Sequence, residues 1–166
     1  GYITSLFLRY RYPDAKLSIM GVTRDTLTGF SIADETFDVR EIPDDIVIDH
    51  AFECVGGTGA PKAIDQIIDH IRPEATIGIL GVSENPVPVN TRMILEKGLR
   101  VFGSSRSGRQ DFISTIEMFT EHPEMVALMK NIVGDVVDVR SIEDMHTAFQ
   151  KDIAKAGGKT IMLWNV

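Results

Sequence analysis

The chain has 166 residues, 43% of them hydrophobic and 25% charged, which suits a globular protein large enough to bury one ordinary core. Its formal net charge of -7 argues against nucleic acid or an anionic membrane as partner, because both select basic surfaces. No apolar stretch approaches the ~20 residues that cross a bilayer. Arg9 and Arg11 follow the short apolar run at the start, the reverse of a signal peptide. Cys54 is the single cysteine, so no internal disulfide can form and a reducing, cytoplasmic setting is expected.

Ile3, Leu6, Phe7 and Tyr10 recur at helical spacing, which predicts a helix over residues 2–10 ended by Tyr12-Pro13-Asp14. Lys16 to Val22 reads as a buried strand, and Thr23-Arg24-Asp25 opens a short helix toward Phe30. Residues 35–39 form a weak, edge-lying strand. The apolar run 46–55, with Cys54 buried inside it, ends on Gly56-Gly57. Pro61 suits the first turn of a helix with Ile64, Ile67, Ile68 and Ile71 on one face, and Pro73 is expected to stop it.

A second run, residues 75–82, is followed by the extended loop Asn85-Pro86-Val87-Pro88. Asn90 can cap a helix over 91–97 that Gly98 closes. A third run, 99–103, breaks into polar Ser104-Ser105-Arg106. Phe112, Ile113, Ile116 and Phe119 mark a longer helix, another covers 124–131, and 136–139 is a short strand. Ser141-Ile142-Glu143-Asp144 has the form of a capping box, with Ile142, Met145, Ala148 and Phe149 as the buried face of its helix. Gly157-Gly158 turns into a last strand, Lys159 to Trp164.

Strands that alternate with helices and end in glycine describe a parallel sheet, whose carboxyl edge is where open α/β sheets take ligands. The division expected is a dinucleotide-binding domain over residues 1–131 and a strand–helix–strand tail over 132–166. The first helix has no strand before it to bury its apolar face, so the chain reads as a Rossmann-type doubly wound fold truncated at its N-terminus, with the first strand missing.

The segments Asp49-His50-Ala51-Phe52-Glu53-Cys54-Val55-Gly56-Gly57, Gly78-Ile79-Leu80-Gly81-Val82 and Lys97-Gly98-Leu99-Arg100-Val101-Phe102-Gly103-Ser104 resemble the medium-chain, zinc-type alcohol dehydrogenases. The resemblance covers nearly the whole chain. Residues 80–92 and 103–109 look more specifically like ribulose-5-phosphate reductases, also called ribitol-5-phosphate dehydrogenases.

That resemblance implies an oxidoreductase whose Gly-x-Gly-x-x-Gly turn is matched here only at its third glycine, Gly1. It places Cys54, Val55 and Gly56 beside the adenosine half of the cofactor. Leu80, Gly81 and Val82 fall against the nicotinamide carboxamide, and Val101, Phe102 and Gly103 on the ring's other side. Lys159 matches a residue that reaches the pyrophosphate. Thr23 and Arg24 stand where such folds choose their cofactor. An acid there holds the ribose 2′-hydroxyl of NAD, while arginine suits the 2′-phosphate of NADP. NADP is expected, although a shift in the turn would bring Asp25 into the acid's place.

Ser104, Ser105, Arg106 and Arg109 offer hydroxyls and guanidinium groups to the phosphate of a sugar phosphate or of the cofactor, or else form a helix-capping loop with solvated arginines. His50, His70, His122 and His146 lack metal-ligand spacing, so no metal site is expected here. The resemblance implies that the catalytic groups lie outside residues 1–166. The family's zinc ligands lie in an N-terminal domain not represented in this sequence. The resemblance further implies that 132–166 returns to that domain and that two subunits join near Val101 and Phe102 as a homodimer. Residues 1–166 alone are expected to be inactive. The rival reading is a non-catalytic nucleotide-sensing domain on the same sheet.

Overall fold

The computed structural model describes residues 1–154 and 158–164. Tyr2–Arg11 forms α1, Ser18–Gly21 β1, Arg24–Thr28 α2 and Glu35–Asp38 β2. Ile48–Glu53 forms β3, Ala60–His70 α3, Ile71–Ile79 β4, Thr91–Lys97 α4 and Arg100–Gly103 β5. Arg109–Glu121 forms α5, Glu124–Met129 α6, Val133–Val139 β6, Ile142–Ala154 α7 and Lys159–Trp164 β7. Among the described residues every strand pair is parallel: β1 with β2, β3 with β4 with β5, and β6 with β7. Parallel neighbours need a crossover between them, and the helices supply it. No described helix is long and apolar enough to cross a membrane.

Two compact units result. One comprises Gly1 and Arg40–Gly108, the other Tyr2–Val39 and Arg109–Val166. The core of the first unit is built from Ile64 and Ile68 of α3, Ile71, Ala75 and Ile77 of β4, and Leu99. Isoleucines at helical spacing meet a strand that is apolar on alternate residues, so both periods point at one interior. The sequence places Ile71 on the helix face, but the helix ends at His70 and Ile71 is the buried first residue of β4.

Pro73, expected to stop the helix, instead lies within β4. The strand tolerates it because the ladder is interrupted there: Ile48 pairs with Ile71, whereas His50 pairs with Thr76, and Glu74 between them has φ 62°. A proline fits where a bulge has already removed the need for its N–H. The strand expected over 75–82 ends at Ile79. The run expected over 46–55 yields only Ile48–Glu53, so Cys54 sits just past the strand and is half-buried. Asn90 caps α4 as expected, its side chain accepting from the Met93 amide at 3.1 Å, and Gly98 closes it with φ 62°.

In the second unit, α1 buries Leu6 and packs Phe7 against Phe119 of α5, with ring centroids 5.8 Å apart and the planes tilted by 53°. The Tyr2 hydroxyl donates to the Leu128 carbonyl at 3.2 Å. Asp34 accepts from the Leu17 amide at 2.6 Å and pairs with Arg9, joining the residues that lead into β1 and β2 to α1. α7 begins with the expected reciprocal cap. The Ser141 amide donates to Asp144 Oδ2 at 3.0 Å, and the Asp144 amide donates to Ser141 Oγ at 3.2 Å. Ala148 is fully buried, but Ile142 and Phe149, expected on the buried face, are 66% and 53% exposed. Spacing identifies an apolar face without saying how wide a body covers it, and the pair β6–β7 is too narrow to cover this one. Gly157 of the expected turn lies outside the described residues, while Gly158 has φ 80°.

Candidate functional site

The three strands of the first unit stop in register. Glu53, Ile79 and Gly103 are lateral partners at the carboxyl ends of β3, β4 and β5. Three loops therefore leave the sheet at one edge. They bring together Cys54, Val55 and Gly56, then Leu80, Gly81 and Val82, then Ser105 and Arg106 beside Gly103. Val101 and Phe102 lie within β5, whose four residues are all exposed. Gly1 belongs to the same unit, and a Cβ placed on it would stand 3.8 Å from the Cβ of Cys54.

Glycine is required at this edge because the loops touch backbone to backbone. Gly56 has φ 66°, and a Cβ there would lie 2.5 Å from the Val82 carbonyl oxygen. A Cβ on Gly81 would lie 2.3 Å from the Gly56 amide nitrogen. The Gly57 amide donates to the Val82 carbonyl at 2.8 Å, and Ser83 Oγ donates to the Gly57 carbonyl at 3.3 Å. Above this contact the side chains of Val55 and Val82 are 64% and 86% exposed, an apolar rim on a polar backbone shelf.

One residue that the sequence did not single out holds the shelf together. Glu53 is 1% exposed, and its carboxylate accepts from the Val55 and Gly56 amides, both at 2.7 Å, and from the Gly81 amide at 3.2 Å. Its own carbonyl accepts from Leu80 and Gly81 at 2.9 and 3.0 Å. The available signal was an acid at the end of a strand, three residues before a pair of glycines.

The other singled-out residues lie in the second unit. Thr23 and Arg24 are exposed directly after β1, with Thr23 in extended conformation at the start of α2 and making no side-chain cap. Asp25 is exposed one residue on, so an arginine and an acid are both available there. Arg109 is the exposed first residue of α5, and Lys159 the exposed first residue of β7, paired with Val133. Arg106 has φ 68°, a left-handed conformation uncommon for a side-chain-bearing residue. Among the described residues no three His, Cys, Asp or Glu side chains are grouped to hold a metal.

Parallel strands ending in register on glycine-rich loops define a nucleotide-type α/β edge. The zinc-binding dehydrogenase family model matches residues 31–121, more than half of the chain, and the chain belongs to that family. It is 47% identical over all 166 residues to ribulose-5-phosphate reductase of Bacillus spizizenii and 46% to ribulose-5-phosphate reductase 2 of Staphylococcus aureus. It covers 49% of each, and so spans about half the length of the curated relatives it matches. The crystal structure of S. aureus TarJ in complex with NADPH superposes with TM-score 0.97 at 44% identity, over all of this chain and 52% of that one. L-idonate 5-dehydrogenase from Escherichia coli, at 13% identity and TM-score 0.78 over 98% of this chain and 46% of that one, shares the Rossmann-type α/β fold.

Proposed function

We propose that this chain is the NADP(H)-binding half of a zinc-dependent polyol dehydrogenase that reduces ribulose 5-phosphate to ribitol 5-phosphate. The observation that carries the reading is the glycine-locked edge at which β3, β4 and β5 end together. The named activity of the Bacillus relative and the NADPH held by TarJ supply the substrate and the cofactor.

When bound, NADPH supplies a hydride for the keto carbon, whose oxygen gains a proton to become a hydroxyl. The residues of this chain orient it. The backbone of Leu80, Gly81 and Val82 offers hydrogen bonds to the nicotinamide carboxamide, while Val101, Phe102 and Gly103 close the ring's other side and exclude water. In the first unit, Cys54, Val55 and Gly56 flank the adenosine half and Gly1 matches the third glycine of the nucleotide turn. In the second, Thr23 and Arg24 suit the 2′-phosphate, and Lys159 matches a residue that reaches the pyrophosphate. Ser105 and Arg106 of the first unit offer a hydroxyl and a guanidinium group to the phosphate of the sugar, and Arg109 of the second offers another guanidinium group.

Among the described residues no side chains are grouped to hold zinc. Its ligands would come from a catalytic domain against which residues 132–166 pack. The exposed Ile142, Phe149, Leu163 and Trp164 support that role. The exposed edge strand β5 supports a homodimer joined near Val101 and Phe102, and the lone Cys54 a cytoplasmic location. The test is NADPH consumption by the complete gene product with ribulose 5-phosphate. Turnover that requires the sugar phosphate is expected; bound NADPH without turnover of any polyol or keto sugar would favour a nucleotide sensor.

A further inference from the structure

A carboxylate buried to 1% exposure demands compensation, and every described partner of the Glu53 side chain is a backbone amide. Oε1 gathers Val55 and Gly56, both from the loop after β3. Oε2 takes Gly81, from the loop after β4, sharing that amide with the Glu53 main-chain carbonyl. The two oxygens therefore serve different loops, and the side chain is a bridge between them. All three partners donate to it. Gly81 also packs so closely that a Cβ on it would lie 2.5 and 2.7 Å from the two carboxylate oxygens.

We infer that Glu53 is a positioning residue of this edge: its carboxylate holds loops 54–57 and 80–83 in one fixed arrangement, so that the backbone of Leu80–Val82 is formed before the cofactor arrives. The inference rests on reading the edge as an NADP(H) surface and names the residue that sets its geometry. A pre-formed surface binds without the cost of ordering a loop, so the role belongs to cofactor affinity and not to the chemical step.

Glu53→Gln isolates the bridge. The amide oxygen can keep Val55 and Gly56, but the amide nitrogen then faces the Gly81 N–H, donor against donor. In the complete gene product this variant is expected to raise KM for NADPH about tenfold or more while kcat at saturating NADPH and KM for ribulose 5-phosphate stay within about twofold. Should Glu53→Gln fail to fold, Glu53→Asp withdraws the carboxylate by one methylene with its charge kept and is expected to show the same KM split.

Two results would overturn the inference alone: a folded variant with lowered melting temperature but wild-type KM for NADPH, or a wild-type Gly81 amide that gains protection only when NADPH is added. A wild-type protein that binds no NADPH would overturn the cofactor reading itself, and this is seen before any variant is made.

Discussion

The Gly57 amide and the Val82 carbonyl meet at 2.8 Å, and this bond closes the loop after β3 onto the loop after β4. The same carbonyl oxygen would lie 2.5 Å from a Cβ on Gly56, whose φ of 66° already excludes most side chains. Gly56→Ala is therefore expected to destabilise the fold by about 2–3 kcal/mol through backbone strain and forced loop separation. Urea denaturation followed by circular dichroism measures it. A loss under about 0.5 kcal/mol would show that the loops part easily.

Lys97 closes the C-terminus of α3 from a distance. Its ammonium donates to the carbonyls of Ile68, Asp69 and Ile71 at 2.5, 3.2 and 2.9 Å. A cation at this end satisfies carbonyls the helix cannot and lies favourably in its dipole. Lys97→Met keeps the aliphatic stem and is expected to cost about 1–2 kcal/mol. An unchanged denaturation midpoint would mean that water caps the helix equally well.

Acid should loosen two sites in the second unit. The Leu17 amide, then the Arg9 guanidinium, holds the Asp34 carboxyl below the usual carboxylate range. The Arg140 amide and then the Ser141 hydroxyl do the same for Asp144. A carboxyl lowered in the folded state contributes stability above its unfolded value, about pH 4, and loses it as pH falls through the folded value. Asp144→Asn is therefore expected to destabilise at pH 7 and to match the wild type in strong acid. A difference that persists unchanged into acid would contradict the cap as its source.

Much of this architecture is legible in residue order because the signals are local. Asn90 and Gly98 bracket α4, and Ser141 with Asp144 opens α7, each through side chains within a few residues of the backbone they serve. Glu53 was not legible as a bridge, because one of its partners is the amide of Gly81, 28 residues on, and an amide has no side-chain signature. Pro73 misled for a related reason. Proline excludes a helix interior and a regular ladder alike, and only the register jump between His50 and Thr76 shows which one it avoided.

Cofactor choice turns on Arg24 and Asp25, both exposed after β1. If Arg24 takes the 2′-phosphate, Arg24→Ala lowers kcat/KM for NADPH about tenfold or more and leaves that for NADH within about twofold. Equal losses with both cofactors would move the arginine out of the ribose site.

Calorimetric titration of the complete gene product with NADPH and with NADH addresses the glycine-locked edge most directly. Saturable NADPH binding, about tenfold or more tighter than NADH, is the expected result. An absence of binding to either dinucleotide, or tighter binding of NADH, would contradict it.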